Sequence, residues 1–338
     1  MKLTSHEVKV LAAINKLGSA PLQQLAKEVG LKSHSVRYAL DRLLQRKALV
    51  PCCSINLSGI GLSNYIVYFS FKASSHDDEE RAVQIAAAHQ QVTWIAELSG
   101  DYQYGMEVLA SSTSDAVRVI GDISRSMGVP WFRKAFIETL SLDIWPLKYF
   151  AKEQPGRNVI SQHPVGRRHE IDSMDHKILR FKIEQPLASD QQIARLCGVP
   201  ATTVSYRLKK LESAEVITGY GYTPIWDALE LSQFKIVVSL KAVDNQQHDK
   251  LFAFAQRAEN CILAMRCVGA WDFEFNIFAV SADEARQFTT QLWRQFGEAL
   301  DDVRSISYPR TIKRASYPFA DEHAVLRAIG KPTKVARE

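Results

Sequence analysis

The chain has 338 residues, of which 46% are hydrophobic and 23% charged, and its formal net charge at pH 7 is +5. This length allows several domains, the composition is ordinary for a soluble protein, and the charge alone is too small to predict nucleic-acid binding. No apolar run approaches the ~20 residues that a membrane-spanning helix needs. The N-terminal residues MKLTSHEVKVLAAI read as an amphipathic helix and not as a signal peptide, so we expect a cytoplasmic protein.

The first motif along the chain is the second half of a helix-turn-helix, at Leu25–Leu43. Ala26 suits a close approach of two helices, and Gly30 suits a helix that ends at positive φ. Three apolar residues, spaced three or four positions apart, predict one buried stripe on the second helix: Val36, Leu40 and Leu43. The opposite face is polar and basic, which is typical of a surface that contacts phosphates and base edges.

Six further elements are predicted after this motif, in the order strand, helix, strand, strand, helix, strand. They are a strand at 65–73, a helix at 78–90, a hairpin with Gly100 in its turn, a helix carrying Ala116, Val119, Ile120 and Ile123, and a strand at 132–145. This order is that of a ferredoxin-like βαββαβ sheet with both helices on one face. We expect the uncovered face to pack against another sheet.

The same series then begins again. Ile193–Leu211 repeats the first motif 168 positions later, with Ala194 and Gly198 in the corresponding places. The elements that follow are a strand at 234–242, a helix at 247–258, a hairpin with Gly269 in its turn, a helix carrying Ala285, Phe288, Leu292 and Phe296, and a strand at 305–317. A period this long indicates the duplication of a whole domain, because solenoid repeats run to ~20–50 residues.

The predicted fold class is therefore α+β, with two copies of a winged helix-turn-helix followed by a ferredoxin-like βαββαβ effector domain. The predicted boundaries are winged helix-turn-helix domains at 1–55 and 170–224, effector domains at 60–150 and 230–320, a linker at 151–169, and a basic C-terminal tail at 321–338. The linker contains prolines and glycines without clear periodicity. The tail is expected to start as a short helix at 322–329, which Gly330 and Pro332 end, and its basic residues offer an extra DNA contact.

Three segments resemble the Lrp/AsnC family of bacterial transcription regulators. They are IDSMDHKIL at 171–179, VSYRL at 204–208, and the Gly-Ala-Trp-Asp turn at 269–272. The first half departs from this pattern, since Ala39 stands where Arg207 stands and Gln103 stands where Asp272 stands. Members of this family normally carry one copy, so the tandem arrangement is unusual.

The resemblance implies double-stranded DNA as a partner. We expect base contacts from Ser33, His34, Ser35 and Arg37 in the first copy and from Ala201, Thr202, Thr203 and Arg207 in the second. We expect phosphate contacts from Lys32, Arg42, Lys209 and Lys210. For Tyr38 and Tyr206 we favour packing that caps the helix pair, and the alternative is a contact with DNA. Because the two helices differ, the preferred operator should be an imperfect palindrome.

Single-copy members of the family dimerise through their effector sheets, so the resemblance implies an intrachain pseudo-dimer here, with further homo-oligomers. It also implies a small ligand, commonly an amino acid, where the effector domains meet. The candidate ligand-binding residues flank the two glycine turns: Gly100, Asp101, Tyr102, Gly269, Trp271 and Asp272. The alternative is that the glycines only form the turns and the aromatic residues only pack.

The sequence contains no glycine-rich phosphate loop, no nucleophile elbow and no cysteine pair with metal-finger spacing. We therefore predict no catalytic residues, no metal, no cofactor and no enzyme activity. One alternative is a siroheme decarboxylase, because those enzymes are also built from paired Lrp-like units and use His and Arg beside a tetrapyrrole. Against it, no histidine falls in a predicted strand, and His76 and His248 are predicted to lie in loops. A second alternative is a partner that caps other family members without binding DNA.

Overall fold

The structure is a computed structural model that describes residues 3–72, 75–152, 155–166, 168–225, 229, 231–242, 245–319, 324–325 and 328–329. The predicted basic tail at 321–338 therefore lies outside the described residues, apart from four positions. None of the described helices has the length and apolar character that a membrane-spanning segment requires.

The first half begins with a three-helix unit and continues into a βαββαβ series. Its elements are α1 (Ser5–Leu17), α2 (Leu22–Val29), α3 (Ser33–Gln45), β1 (Leu49–Ile55), β2 (Ser63–Phe71), α4 (His76–Ala88), β3 (Val92–Ser99), β4 (Tyr104–Ala110), α5 (Thr113–Met127) and β5 (Trp131–Ile144). A short 3₁₀ helix, Leu57–Ile60, connects β1 to β2. Each predicted element is present, with ends that shift by a few residues.

The second half follows the same order after a connecting segment. The connection contains α6 (Lys148–Ala151) and β6 (Ile160–Gln162). The remaining elements are α7 (Ser173–Glu184), α8 (Asp190–Cys197), α9 (Ala201–Ser213), β7 (Ile217–Pro224), β8 (Ser232–Leu240), α10 (Asn245–Arg257), β9 (Cys261–Gly269), β10 (Phe273–Ala279), α11 (Ala282–Phe296) and β11 (Leu300–Arg314). The predicted fold class is confirmed, whereas the domain boundaries stay predictions.

The two helical units have the local features of helix-turn-helix motifs. Each begins with a capping box, in which Glu7 and Asp175 occupy the corresponding third positions of α1 and α7. Each second helix ends at a glycine in the left-handed region, Gly30 with φ 65° and Gly198 with φ 71°. The predicted stripes on α3 and α9 are buried except for Leu40, which is half-buried. These contacts fix α3 and α9 against the rest of each unit and leave their opposite faces in solvent.

The two four-stranded sheets join into one closed antiparallel barrel. Its strand order is β2-β4-β3-β11-β8-β10-β9-β5, and β5 pairs again with β2. The closure uses two contacts between the halves, because β11 pairs with β3 and β5 pairs with β9. The barrel interior holds side chains from both halves, such as Tyr68, Ala96, Val237, Met265 and Trp271. Closure leaves neither sheet with an open edge between the halves.

The helical units cross over to the opposite halves of the barrel. The core of the first unit includes Ile262 and Phe278 from β9 and β10, and the core of the second includes Leu109 from β4. The wing strands β1 and β7 pair antiparallel with each other, with Cys52 opposite Gly221. We call this two-stranded sheet the wing ribbon. It connects the two helix-turn-helix units across the end of the barrel.

The segment predicted as an irregular linker includes regular structure. Strand β6 pairs with β5, with Leu142 opposite Gln162. The Asn158 side chain donates to the Tyr222 carbonyl at 2.8 Å and accepts from the Tyr222 N–H at 3.0 Å. This side chain thereby satisfies backbone groups of β7 that the two-stranded ribbon leaves without a neighbouring strand.

Candidate nucleic-acid interface and internal cavity

Helix α3 presents a basic face to solvent along its N-terminal half. Lys32, Ser33, His34 and Arg37 are exposed, and Ser35 is half-buried. Within the part of the chain that the structure describes, Arg37 forms no ion pair. Its guanidinium is therefore available, and a guanidinium pairs with the two acceptors of guanine in the major groove.

Helix α9 distributes its polar groups differently. Thr202 is exposed, Thr203 and Ser205 are half-buried, and Ala201 begins the helix. Its exposed cations, Lys209 and Lys210, lie in the C-terminal half. The first half of α9 therefore offers hydroxyl groups where α3 offers a guanidinium and an imidazole.

Arg207 holds α9 to the start of α7. Its Nη1 lies 2.7 Å from Asp172 Oδ1 and 2.7 Å from Asp175 Oδ1, and Asp175 is only 2% exposed. Burial raises the pKa of Asp172, but the hydrogen bonds from Arg207 and from the Asp175 N–H outweigh it and lower the pKa below its ordinary value. The base contact expected of Arg207 stays a prediction, since the structure gives this side chain a structural partner.

The first unit neutralises the corresponding carboxylate with different arginines. Glu7 is 1% exposed, and Ala39 at the position of Arg207 cannot reach it. Instead, Arg42 Nε lies 3.4 Å from Glu7 Oε1 and Arg46 Nη1 lies 3.9 Å from it. Arg42 is therefore held near the body of the unit, and its expected phosphate contact stays a prediction.

Tyr38 and Tyr206 occupy equivalent positions on α3 and α9. The prediction that they pack and cap their helix pairs is wrong, because their exposed fractions are 64% and 69%. Tyr38 lies two residues after the buried Val36, and Tyr206 lies two residues after the buried Val204. This spacing places both rings on the solvent side of their helices. They belong to the same exposed faces as the polar residues.

The two glycine turns flank an aromatic cluster at the barrel. Gly269 has φ 136°, and a Cβ there would lie 2.1 Å from the Phe136 carbonyl oxygen, so the turn requires glycine. Tyr102 and Trp271 are buried, with ring centroids 6.5 Å apart and the Tyr68 ring in contact with both. This packing accounts for the aromatic residues that the sequence singled out.

The acidic residues of these turns also have partners. Asp272 Oδ2 accepts from the Leu240 N–H at 2.8 Å, and Asp101 Oδ2 accepts from Arg304 at 2.9 Å. Gly100, with φ 134°, lies beside Asp101 in the first turn. The six turn residues therefore stay candidates for ligand binding, each with a structural role in the described chain.

A cavity of about 210 Å³ lies between the wing ribbon and the barrel. Cys52 and Thr223 line it from the ribbon, and Asn64, Lys235 and Asn276 line it from the barrel strands. Both halves of the chain contribute, so the cavity exists only because the sheets close on each other. Sequence reasoning missed this site.

Glu274 forms the charged floor of the cavity. It is fully buried, pairs with Lys235, and accepts from Tyr68 Oη at 2.9 Å and from Trp271 Nε1 at 2.8 Å. Burial lowers the pKa of Lys235, but the charge of Glu274 outweighs it and raises the pKa above its ordinary value. The indole of Trp271 thus links the second glycine turn to the cavity.

A signal for this site was present in the sequence. In SQFKIVVSL and FEFNIFA, single polar residues alternate with apolar ones inside strands whose other residues are almost all apolar. Such a pattern predicts a polar stripe facing inward when both sides of the strand are covered. Which strands cover it depends on tertiary pairing, which the pattern does not state.

Comparisons with known proteins fall into two groups. Residues 171–218 match the family described as winged helix-turn-helix DNA-binding. The leucine-responsive regulatory protein of Rhizobium meliloti (strain 1021) is 28% identical over 151 residues, which cover 44% of this chain and 95% of that protein. The chain is thus similar to an Lrp regulator over less than half of its length.

The second group extends over nearly the whole chain. The siroheme decarboxylase NirDL superposes with a TM-score of 0.62 at 12% identity, covering 96% of this chain and 97% of that chain. Its complex with an iron-uroporphyrin III analogue gives a TM-score of 0.63 at 11% identity, covering 96% and 98%. At these identities the likeness shows a shared fold.

The comparison corrects one expectation, and the secondary structure of the chain corrects another. The prediction of no enzyme activity is wrong as an inference from missing motifs, because the fold over 96% of the chain is that of an enzyme. The prediction that His76 and His248 lie in loops is also wrong, since they lie in α4 and α10. His248 is buried, with Arg266 Nη2 3.0 Å from its Nδ1.

Proposed function

We propose that the chain is a DNA-binding transcription regulator of the Lrp type, in which two unlike helix-turn-helix units on one polypeptide contact two half-sites. The observation that carries this proposal is the exposed polar and basic face of both α3 and α9, at the positions where recognition helices contact DNA. The family match at 171–218 supports it for the second unit. The corresponding capping boxes and glycine turns support it for the first.

The chemistry of the two faces assigns them different tasks. Residues near the start of a recognition helix contact base edges, while cations farther along contact phosphates. The first unit brings Arg37 and His34 to the bases, with Ser33, Ser35 and Lys32 beside them. The second brings Thr202 and Thr203, with phosphate contacts from Lys209 and Lys210.

In this proposal the two effector halves, which pair in one closed barrel, act as an intrachain pseudo-dimer, so that one chain supplies both half-site contacts. We extend the proposal to a small effector, such as an amino acid, bound near the glycine turns. We also extend it to homo-oligomers that place several such chains on one DNA. The effector extension is supported by the similarity to the leucine-responsive regulatory protein, and the oligomer extension follows only from the resemblance to the Lrp/AsnC family.

A genome-wide pull-down of bound DNA tests this function. The wild-type chain is expected to enrich discrete sites, and Arg37→Ala should reduce that enrichment because it removes a guanidinium without a structural partner. Arg257→Ala is the matched control, since it removes the same charge from an exposed position at the end of α10. Absence of enriched DNA at low salt, or equal losses in both variants, would contradict the proposal.

A second candidate function is chemistry on a tetrapyrrole, favoured by the fold shared with siroheme decarboxylase over 96% of the chain. The cavity of about 210 Å³ is smaller than the ~300–1,000 Å³ typical of drug-sized ligands, and a tetrapyrrole exceeds that size. The described lining contains no histidine. The cavity therefore does not fit a tetrapyrrole, and we derive no reaction step.

Titration with siroheme tests this candidate directly. A saturable shift of the siroheme absorption band at one equivalent per chain would support it. If the absorption spectrum is unchanged although the protein is folded and binds DNA, this second candidate function is excluded.

A further inference from the structure

Two exposed tyrosines occupy equivalent places on α3 and α9. Tyr38 is 64% exposed and Tyr206 is 69% exposed, and they lie 168 positions apart, which is the offset between the two motifs. Among the residues that the structure describes, only two other Phe, Tyr or Trp side chains are exposed, Phe132 on β5 and Trp293 on α11. Half of these exposed rings therefore lie at one repeated position of the two helix-turn-helix units.

The tyrosines do not hold their helices in place. Val36 and Val204, two positions earlier, are fully buried and lie on the packed side of each helix. In the part of the chain that the structure describes, neither tyrosine hydroxyl forms a hydrogen bond with another residue. The guanidinium of Arg42 lies 5.7 Å from the centre of the Tyr38 ring. An exposed tyrosine is well suited to an interface, because its ring offers apolar area and its hydroxyl tolerates water.

Each tyrosine lies one helical turn after a residue that we propose to contact base edges. His34 and Thr202 are exposed and stand four positions before Tyr38 and Tyr206, so each pair shares one face of its helix. The tyrosine side chain is longer than that of serine or threonine, so it extends farther from the helix toward the same groove. Both rings are therefore within the surface that would meet the bases.

The chemistry of the ring selects one feature of the major groove. The base edges there present hydrogen-bond donors and acceptors, and their apolar group is the C5-methyl of thymine. Contact between an aromatic ring and this methyl group removes apolar surface from water on both sides. A tyrosine ring at this place therefore favours thymine over the other bases.

The relation between the two units makes this contact symmetric. Strands β1 and β7, which follow α3 and α9, pair antiparallel in the wing ribbon. Antiparallel pairing of equivalent strands relates the two units by a local two-fold axis, which matches the symmetry of two half-sites. Identical side chains at equivalent positions then meet the same base in each half-site. Arg37 and Ser205, one position earlier, differ and meet unlike bases.

We infer that Tyr38 and Tyr206 are specificity residues, each of which contacts the methyl group of a thymine at the same position of its half-site. This inference rests on the proposed DNA-binding function and deepens it. The operator then combines one symmetric thymine with unlike neighbouring bases, so its palindrome is imperfect at defined positions.

Replacement of single thymines by deoxyuridine tests this inference, because the change removes only the C5-methyl group. The operator is the one that the wild-type chain selects from a random library, and fluorescence anisotropy measures each affinity. One thymine in each half-site, at equal distances from the operator centre, is expected to lose about fourfold in affinity when its methyl group is removed.

Alanine variants connect each thymine to one tyrosine. Tyr206→Ala should weaken binding of the intact operator at least about fourfold and abolish the deoxyuridine effect in one half-site. Tyr38→Ala should do the same in the other half-site. Tyr206→Phe keeps the ring and should keep the deoxyuridine effect. Phe132→Ala is the matched control, because it removes a ring that is 67% exposed on the barrel and should change neither quantity.

Three results would overturn the inference. They are the absence of a symmetric pair of thymines with this effect, a deoxyuridine effect that both alanine variants leave unchanged, and a Tyr206→Phe variant that behaves like Tyr206→Ala. All three leave the regulator function intact, because the wild-type chain still binds its operator. Failure of the wild-type chain to enrich any DNA would overturn the regulator function, and this inference with it.

Discussion

The two helix-turn-helix units share a frame and differ in how they use their arginines. In the second unit, Arg207 from the middle of α9 pairs with the buried Asp175. In the first unit, Arg42 and Arg46 from the end of α3 approach the corresponding Glu7. Both units thus have a buried carboxylate at the start of a helix, and arginines from two different positions neutralise it.

This difference determines which basic side chains of each unit remain available to contact DNA. The second unit uses its central arginine internally and keeps lysines at the end of α9. The first unit uses its terminal arginines internally and keeps Arg37 on the exposed face of α3. The comparison therefore teaches that the first unit is the stronger candidate for base discrimination, and the second for phosphate contact.

The largest expected effect is on the stability of the second unit. Arg207→Ala leaves Asp175 buried without its cation and should lower the local free energy of opening of α7–α9 by about 2–3 kcal/mol. Arg42→Ala should lower that of α1–α3 by only about 1 kcal/mol, because Arg46 remains near Glu7. Hydrogen exchange of each unit measures both values. Equal losses of opening free energy in the two variants would contradict the inferred difference between the two units.

The next effect concerns DNA affinity. Arg37→Ala should weaken specific binding about 10- to 100-fold, as expected for a lost guanidinium–guanine pair of about 1–3 kcal/mol. Ser205→Ala, at the corresponding position of α9, should weaken it less than about fivefold. Fluorescence anisotropy with one labelled operator compares them. A larger loss in Ser205→Ala would reverse the assignment of the two units.

Phosphate contacts should produce smaller and sequence-independent losses. Lys209→Ala and Lys210→Ala are each expected to weaken specific and random DNA alike, and to flatten the slope of log affinity against log salt by about 0.9. Measurements at several salt concentrations give this slope. A variant that loses only specific binding would show that its lysine contacts a base.

The smallest effect is a pH dependence confined to the second unit. The pKa of Asp172 is lowered in the folded chain, so its stabilising contribution is present above the ordinary value of about 3.9 and is lost as pH falls through the lowered value. Because Asp172 is largely exposed, we expect less than about 1 kcal/mol. Thr4 stands at the corresponding position and does not titrate. Exchange rates of α7–α9 in wild type and Asp172→Asn, measured from pH 6 downward, should converge as the pH falls below the lowered pKa of Asp172.

Much of the fold was predictable because it depends on local signals. Gly30, Gly198 and the alternating strand patterns identified the helix ends and the strand order in both halves. The pairing of β3 with β11 and of β5 with β9 was not predictable, because the polar and apolar pattern of one strand does not determine which strand pairs with it. The wing ribbon was missed for the same reason.

The sites were predictable only in part. The sequence identified the exposed faces of α3 and α9, but it assigned Arg207 to bases although a carboxylate from another helix lies beside it. It also favoured packing for Tyr38 and Tyr206, whose rings lie in solvent. The cavity is lined by β2 from the first half and by β10 from the second half. No short segment of the sequence contains both strands.

Selection of binding sites from a random DNA library tests the central claim most directly. The wild-type chain is expected to return an imperfect palindrome whose half-sites are centred about one duplex turn apart or a multiple of it. Arg37→Ala should relax the sequence of one half-site and leave the other intact. A perfect palindrome, a single half-site, or relaxation of both half-sites together would contradict two unlike reading units on one chain.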